Sequence, residues 1–316
     1  MNKQNILILS AGRRVELVKA FKNASKKLGK GKIIAADATN TAPALYFADD
    51  FFVIKRVSDP DYIPSLVELI KAQDIGLVVP TIDTELITLS ENRKAIENCG
   101  GKILISSVDC IAICRDKIQT ARFLQENNFL TPKIYNHPSE CKVFPLFIKP
   151  VSGSSSINAF KVHTKKELDF FFSYIENPLI QNYIEGKEYS VDVFCDFDAQ
   201  PITIVPRERL ATRSGEILKG KVVKDVQIIE ETKKLVAVLK PVGQITVQLI
   251  RTAANEIVFL EINARFGGGS PMSILAGANS CENLFRLLDG ENLVYNENYT
   301  DNLTIARFDD SVIIKK

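Results

Sequence analysis

The chain has 316 residues, and its 40 Lys and Arg against 38 Asp and Glu leave a formal charge of +2, which argues against nucleic-acid binding by bulk charge. With 46% apolar and 25% charged residues it has ordinary globular proportions, so disorder is excluded as a description of the whole, and the length predicts two domains or one large α/β unit. No apolar run approaches the roughly 18 residues that cross a bilayer, and Ile6 to Leu9 is too short for a signal-peptide core, so a cytoplasmic protein without a membrane partner is expected.

In chain order, the first hundred residues alternate strand-like and helical patterns. Asn5 to Leu9, a helix bearing Val15, Val18, Phe21 and Leu28, and Lys32 to Ala36 predict a βαβ unit. Phe51 to Ile54, a helix from about Asp61 to Ala72, Gly76 to Pro80, a helix capped near Asp83, and Lys102 to Ile105 continue it into a mostly parallel, doubly wound sheet. Ligands then belong at the carboxyl ends of the strands, which carry Ser10-Ala11-Gly12-Arg13-Arg14, Asp37 and Thr81 to Glu85. A dinucleotide site is disfavoured, because Ser10 to Arg14 is not G-x-G-x-x-G and two arginines stand where small residues admit a pyrophosphate.

Helical spacing from Ser107 is expected to run through Asp116-Lys117 to Asn127, where Thr131-Pro132 ends it. Beyond it, Pro145 to Pro150 reads as a strand leading into Val151-Ser152-Gly153-Ser154-Ser155-Ser156, followed by a strand near Ala159 to Val162 and a helix from Lys165 to Ile175. The remainder alternates like antiparallel sheet, so an α+β second domain is expected from about residue 113.

The six cysteines are dispersed without a C-x-x-C pair and read as free thiols, while His137 and His163 lack any ligand or triad spacing, so zinc hydrolase and Ser-His-Asp chemistry lack their parts. The Ser/Gly run after Lys149 offers backbone N–H groups and a cation to phosphate; a surface turn is the competing reading. In Gln181 to Val193, backbone near Gln181 can pair with an adenine edge and Glu188 can accept ribose hydroxyls, against the alternative of an exposed loop carboxylate. The sharpest feature is the pair of strands Gly243 to Ile250 and Ile257 to Asn263. Residues two apart share a face, so Glu261 and Asn263 point together, and a two-residue turn at Ala254-Asn255 places Gln248 opposite Glu261. Three oxygen donors suit Mg²⁺ shared with nucleotide phosphates.

Together these motifs resemble the ATP-grasp superfamily across about residues 113 to 290, most closely single-unit proteins related to the carbamoyl-phosphate synthase large subunit, where runs like Asn263-Ala264-Arg265-Phe266-Gly267-Gly268-Gly269 occur. The resemblance implies an N-terminal Rossmann-like pre-ATP-grasp domain (1–112) and an ATP-grasp domain (113–316), with a lid at about 113–185 and a C-terminal sheet at about 186–300. It implies phosphate contacts from Lys117 and Lys149, a loop with Ser154 and Ser155 closing over the phosphates, an adenine hinge at Gln181, Asn182 and Ile184, and ribose binding by Glu188. It further implies metal ligation by Gln248, Glu261 and Asn263, and a catalytic Arg265 on the transferred phosphate. The cofactors implied are ATP and Mg²⁺, with Mn²⁺ as the alternative ion. The activity implied is activation of a carboxylate as an acyl phosphate and its coupling to an amine or other nucleophile. Small-molecule carboxylate and amine substrates are the expected partners, with no nucleic acid and with room for a homodimer. For substrate, Arg207, Arg209 and Arg213 are candidates to clamp a carboxylate, with a solvated loop of mixed charge beside Glu208 and Glu216 as the equal alternative, and Asp83 and Glu85 to receive an amine, with Asp83 alternatively a helix cap. A nucleotide-binding oxidoreductase and a non-catalytic ATP-binding protein are the competing functions.

Overall fold

The computed structural model describes residues 5–153, 157–213 and 215–314. The first body is a five-stranded parallel sheet in the order β3-β2-β1-β4-β5, made of β1 (Asn5–Ile8), β2 (Ile33–Asp37), β3 (Asp50–Val53), β4 (Ile75–Val79) and β5 (Lys102–Ile103). Helices α1 (Val15–Leu28), α2 (Tyr62–Ala72), α3 (Leu86–Glu91) and α4 (Arg93–Glu97) make the crossovers. The strand order reverses between β1 and β4, so the crevice that a doubly wound sheet offers to ligands opens between the loop after Ile8 and the loop after Val79.

Asp83 does not cap its helix. It opens a short 3-10 turn, Asp83–Glu85, and the capping is done by Glu85, which accepts from Thr81 N at 3.0 Å and Ile82 N at 3.4 Å. Glu85 also accepts from Ser10 Oγ at 2.6 Å and Tyr62 Oη at 3.3 Å and is buried. The expectation that it receives a substrate amine is thereby corrected: four donors inside the fold already claim its carboxylate.

The continuous helix expected from Ser107 to Asn127 is two helices, α5 (Val108–Arg115) and α6 (Lys117–Glu126). Asp116 breaks it by taking an extended conformation (φ −106°, ψ 114°) and capping α6 through Ile118 N and Gln119 N. A four-stranded sheet follows, β6-β9-β7-β8, from β6 (Ile134–Tyr135), β7 (Leu146–Pro150), β8 (Phe160–Val162) and β9 (Pro178–Asn182), with α7 (Lys165–Tyr174) packed on it. Its own small core of Leu146, Ile148, Val162, Leu168, Ile175 and Ile180 is separate from the two larger cores. By contrast Cys110, Ile111 and Leu124 of α5 and α6 pack with the first sheet and the large sheet.

The large sheet is antiparallel, in the order β14-β13-β10-β11-β12-β15, and is built from β10 (Lys187–Cys195), β11 (Pro201–Arg213), β12 (Glu216–Val222), β13 (Gly243–Arg251), β14 (Ile257–Asn263) and β15 (Leu303–Ala306). The stretch, whose sequence alternates like antiparallel sheet within an expected α+β domain, also holds three helices that no sequence pattern had located: α8 (Val226–Leu239), α9 (Ser270–Leu275) and α10 (Ser280–Leu288). Buried Ile228, Ile229, Thr232, Leu235, Val236 and Leu239 recur at helical spacing in α8, a 3.6-residue period within a region read as alternating by two. Val191, Val193, Ile245, Val247 and Leu249 form the apolar face.

The other face is polar, and register orders it. One row runs Glu261, Gln248, Ser190, Arg207 and the next Asn263, Thr246, Asp192. Asp192 is its buried anchor. Arg207 donates to it through Nε at 2.7 Å and Nη2 at 3.1 Å, and Thr246, Ser270 and Ser273 add hydroxyl donors at 2.9, 3.2 and 2.5 Å. A Cβ at Gly269 would come within 2.6 Å of Arg207 Nη1, so the backbone turn into α9 can approach this pair only as glycine. Arg207 is thus not a free carboxylate clamp, because a bidentate ion pair sealed from water already holds its charge.

Asp192→Asn strands the buried Arg207 charge and should cost about 3–5 kcal/mol, read as a lowered denaturant midpoint at constant slope. Glu85→Ala should cost about 2–4 kcal/mol by leaving its buried donors unpaired. Burial pushes the Glu85 carboxyl up, so wild-type stability should decline as pH rises from about 4.5 through the higher folded-state value, and Glu85→Gln should remove that decline.

Candidate active site

A cavity of about 490 Å³ lies between the polar face of the large sheet and the crevice of the parallel sheet. Its floor carries Gln248, Glu261, Asn263, Ser190 and Thr246; its walls carry Asp83, Arg14 and Arg115 on one side, Lys117 and Gly153 on another, and Arg209, Glu216 and Gly267 to Gly269 on a third.

Gln248 does face Glu261, yet the route differs from the two-residue turn expected. The strands close as Arg251 opposite Ile257, with Thr252 N donating to Glu256 O at 3.0 Å around a longer loop, and a bulge between Gln248 and Leu249 shifts the register by one and restores the Gln248–Glu261 pair. Asn263 Nδ2 donates to Glu261 Oε1 at 3.3 Å, and Asn263 Oδ1 accepts from Arg265 Nη2 at 2.9 Å.

Whether these residues fit a metal ion turns on their chemistry. Among the described residues no cluster of three His, Cys, Asp or Glu is present, so a site here must combine the single Glu261 carboxylate with amide and phosphate oxygens. A half-turn of the Asn263 amide, which gives up the bond its Oδ1 accepts from Arg265 Nη2, presents Oδ1 beside Glu261 Oε1. The set then fits a hard cation that completes its shell with phosphate or water, and does not fit zinc.

Lys117, the first residue of α6, donates from Nζ to the carbonyls of Val151 at 3.2 Å and Gly153 at 3.1 Å, which ties it to the start of the Ser/Gly loop. Lys149 is buried on β7. Burial lowers the pKa of both ammonium groups, and the Glu261 carboxylate opposes that shift in each. Two poorly solvated cations facing one carboxylate make a place where an anion with many oxygens is favourable. Ser154 and Ser155 lie outside the described residues.

Gln181 and Asn182 end β9, with Ile184 two residues on; none of the three lines the cavity, and Asn182 Oδ1 accepts from Tyr135 Oη at 2.8 Å. Glu188 opens onto a neighbouring depression of about 310 Å³, where its carboxylate lies 3.3 Å from Arg209 Nε, so a ribose there must compete with Arg209. Arg209 lines both spaces, donates to Ser190 Oγ at 3.3 Å and to the Gly215 carbonyl at 2.9 Å, and has its pKa lowered by burial. Arg213 is exposed and paired with Asp309 at 2.7 Å, outside both spaces, which removes it from the expected clamp.

Arg265 crosses to the parallel sheet. Its Nη2 and Nε meet Asp83 Oδ2 at 2.7 and 3.1 Å, so Asp83 holds Arg265 and does not await an amine with a free carboxylate. At the end of β2, Asp37 accepts from Gly12 N at 2.8 Å, which occupies the acid that a dinucleotide ribose would need. Sequence reasoning missed three residues. Arg14 stands in a strand-end segment where ligands are expected, but beyond the failed glycine fingerprint it has no role assigned from sequence; Glu216 and Asp192 give no local signal, since each takes its meaning from partners far along the chain.

A family model described as the ATP-grasp domain matches residues 114–269, and one described as the PylC-like N-terminal domain matches residues 6–104. A D-alanine–D-alanine ligase of Fusobacterium nucleatum is 28% identical over 190 residues, covering 56% of this chain and 66% of the relative. A 3-methyl-D-ornithine–L-lysine ligase of Methanosarcina mazei is 24% identical over 269 residues, covering 84% and 68%. The chain thus spans about two-thirds of the length of these relatives. In fold it matches, with a TM-score of 0.76 at 16% identity, the biotin carboxylase domain of the Hydrogenobacter thermophilus 2-oxoglutarate carboxylase, solved with MgADP and bicarbonate, over 96% of this chain and 74% of that one. Among the described residues no helix is long and apolar enough to cross a membrane. The chain belongs to the ATP-grasp superfamily, with a PylC-like N-terminal domain ahead of its ATP-grasp domain.

Proposed function

We propose that the cavity is the reaction chamber of a ligase that activates a carboxylate with Mg·ATP as an acyl phosphate and couples it to an amine. In this reading residues 1–112 present the substrate-binding crevice and residues 113–316 hold the nucleotide. The observation that carries the reading is the Glu261, Gln248, Asn263 row, flanked by Lys117 and Lys149 on one side and by Arg265 on the other. Phosphoryl transfer needs positioning and charge neutralisation more than a strong base, and the donors here are of that kind.

Bound Mg²⁺ would neutralise phosphate charge and be held by Glu261 with the Gln248 and Asn263 oxygens. Lys117 and Lys149 bind the phosphate oxygens, and the Lys117 contacts to Val151 and Gly153 couple that binding to the loop above. Gln181, Asn182 and Ile184 take the adenine and Glu188 the ribose. Arg265, fixed by Asp83, steadies the phosphoryl group as it moves to the substrate carboxylate. The amine then attacks the acyl carbon; the C–N bond forms, the C–O bond to phosphate breaks, and phosphate leaves while the amine loses a proton. The Fusobacterium and Methanosarcina relatives, both named as amino-acid ligases, support a carboxylate and an amine as the substrate pair. The filled place of Asp37 speaks against the oxidoreductase.

Calorimetry should show ATP binding that strengthens with Mg²⁺, and Glu261→Ala should weaken the Mg²⁺-dependent part by on the order of 10²-fold while the fold survives. Unchanged Mg·ATP binding by that variant contradicts the metal assignment. Once a substrate pair is in hand, Arg265→Ala should lower kcat by on the order of 10²–10³ and raise the ATP dissociation constant far less. The reverse pattern would make Arg265 a ground-state nucleotide anchor.

A further inference from the structure

The arginine at the end of the β1 loop has no task at the nucleotide end of the cavity. Arg14 Nη2 donates to the Thr81 carbonyl at 3.0 Å, which fixes the guanidinium at the point where the parallel sheet reverses its strand order. Arg14 Nη1 is buried at the cavity and has no hydrogen-bond partner among the described residues. Burial, with the positive charge of Arg265, lowers its pKa to about 10, so the group stays cationic at neutral pH. A buried cationic N–H without an acceptor is costly, and a ligand oxygen removes that cost.

A counter-charge stands beside it. A Cβ at Gly268 would lie 3.5 Å from Arg14 Nη1 and 3.6 Å from Glu216 Oε1, so a cation and an anion flank the same bare stretch of backbone. Arg307 Nη1 is 3.5 Å from Glu216 Oε2 and holds the carboxylate in place by that other oxygen. We infer that Arg14 and Glu216 bind the amine co-substrate as an α-amino acid, Arg14 Nη1 taking its carboxylate and Glu216 its ammonium, an inference that rests on the ligase reading of the same cavity.

Three features favour this chemistry. Carboxylate and ammonium sit on one carbon of an α-amino acid, which matches opposite charges set around one glycine. A dicarboxylate would face repulsion from Glu216, and a simple amine would leave Arg14 unpaired. The Arg265–Asp83 pair lines the same cavity, and both Arg265 and Asp83 act electrostatically on Arg14, so the bound amino acid shares the chamber in which the acyl phosphate would form.

The test uses the full chain with Mg·ATP, ADP release as readout, and a probe panel of the proteinogenic L-amino acids and D-alanine, each offered as amine beside its own carboxamide, with the same amino acids and simple carboxylates as acids. An amino acid should drive ADP release, and its carboxamide should show a KM about 10–100-fold higher. Arg14→Ala should raise the amino acid's KM to the carboxamide's level and leave the KM for ATP unchanged, with Arg14→Lys recovering part of the loss. Glu216→Gln, on a half-exposed side chain whose loss the fold tolerates, should raise the same KM and covers the case in which Arg14→Ala does not fold. Equal use of amino acid and carboxamide by the wild type, carboxamide discrimination that persists in Arg14→Ala, or Mg·ATP binding without ADP release for any amino acid would each overturn the inference. Absence of Mg·ATP binding would overturn the ligase reading itself.

Discussion

The ion pair between Arg265 and Asp83 joins the two halves of the site. Its partners are 182 residues apart in sequence, one just past the edge strand β14 of the large sheet and the other just past β4 of the parallel sheet. Neither sheet alone encloses the cavity; it exists because these strand ends are brought together and held by a partly buried, charge-assisted contact. The same contact aims the guanidinium of Arg265 beside the Glu261–Asn263 row, so the joint between the bodies and the orientation of the proposed catalytic cation are one feature.

Behind this joint, the large sheet divides its labour by face. Period-two alternation sends Val191, Val193, Val247 and Leu249 into the core and Ser190, Asp192, Thr246 and Gln248 to the opposite side. A polar sheet face is unremarkable when solvated, but here it is roofed by the turn into α9, and burial makes each unpaired group expensive. Asp192 resolves this by gathering five donors from Arg207, Thr246, Ser270 and Ser273. The floor beneath the cavity is rigid for that reason, while Lys117, Arg14 and Arg209 at its edges keep incompletely solvated charge that a ligand can meet.

Much of this was legible in the sequence. Strand periodicity put Glu261 and Asn263 on one face and opposed Gln248 to Glu261, although a longer loop and a bulge reached the same pairing by another route. The parallel sheet and its strand-end loops followed from the alternation of short apolar runs and helices. What was not legible depends on distant partners. Both Arg207 and Arg209 line the cavity, and nothing local distinguishes Arg207, locked to Asp192, from Arg209, which has no such buried carboxylate partner, since both sit on one strand at one parity. Glu85 reads as an available carboxylate until Ser10 and Tyr62 are brought to it by the fold. The break at Asp116 was hidden because a residue that caps a helix is also tolerated within one.

The central claim is that a substrate carboxylate is activated as an acyl phosphate within this cavity. Transfer of ¹⁸O from a labelled carboxylate tests it most directly, because attack of that oxygen on the γ-phosphate moves it permanently into the released phosphate. The account predicts ADP as product and one ¹⁸O atom in each inorganic phosphate formed. Unlabelled phosphate, or label recovered in AMP, would contradict it.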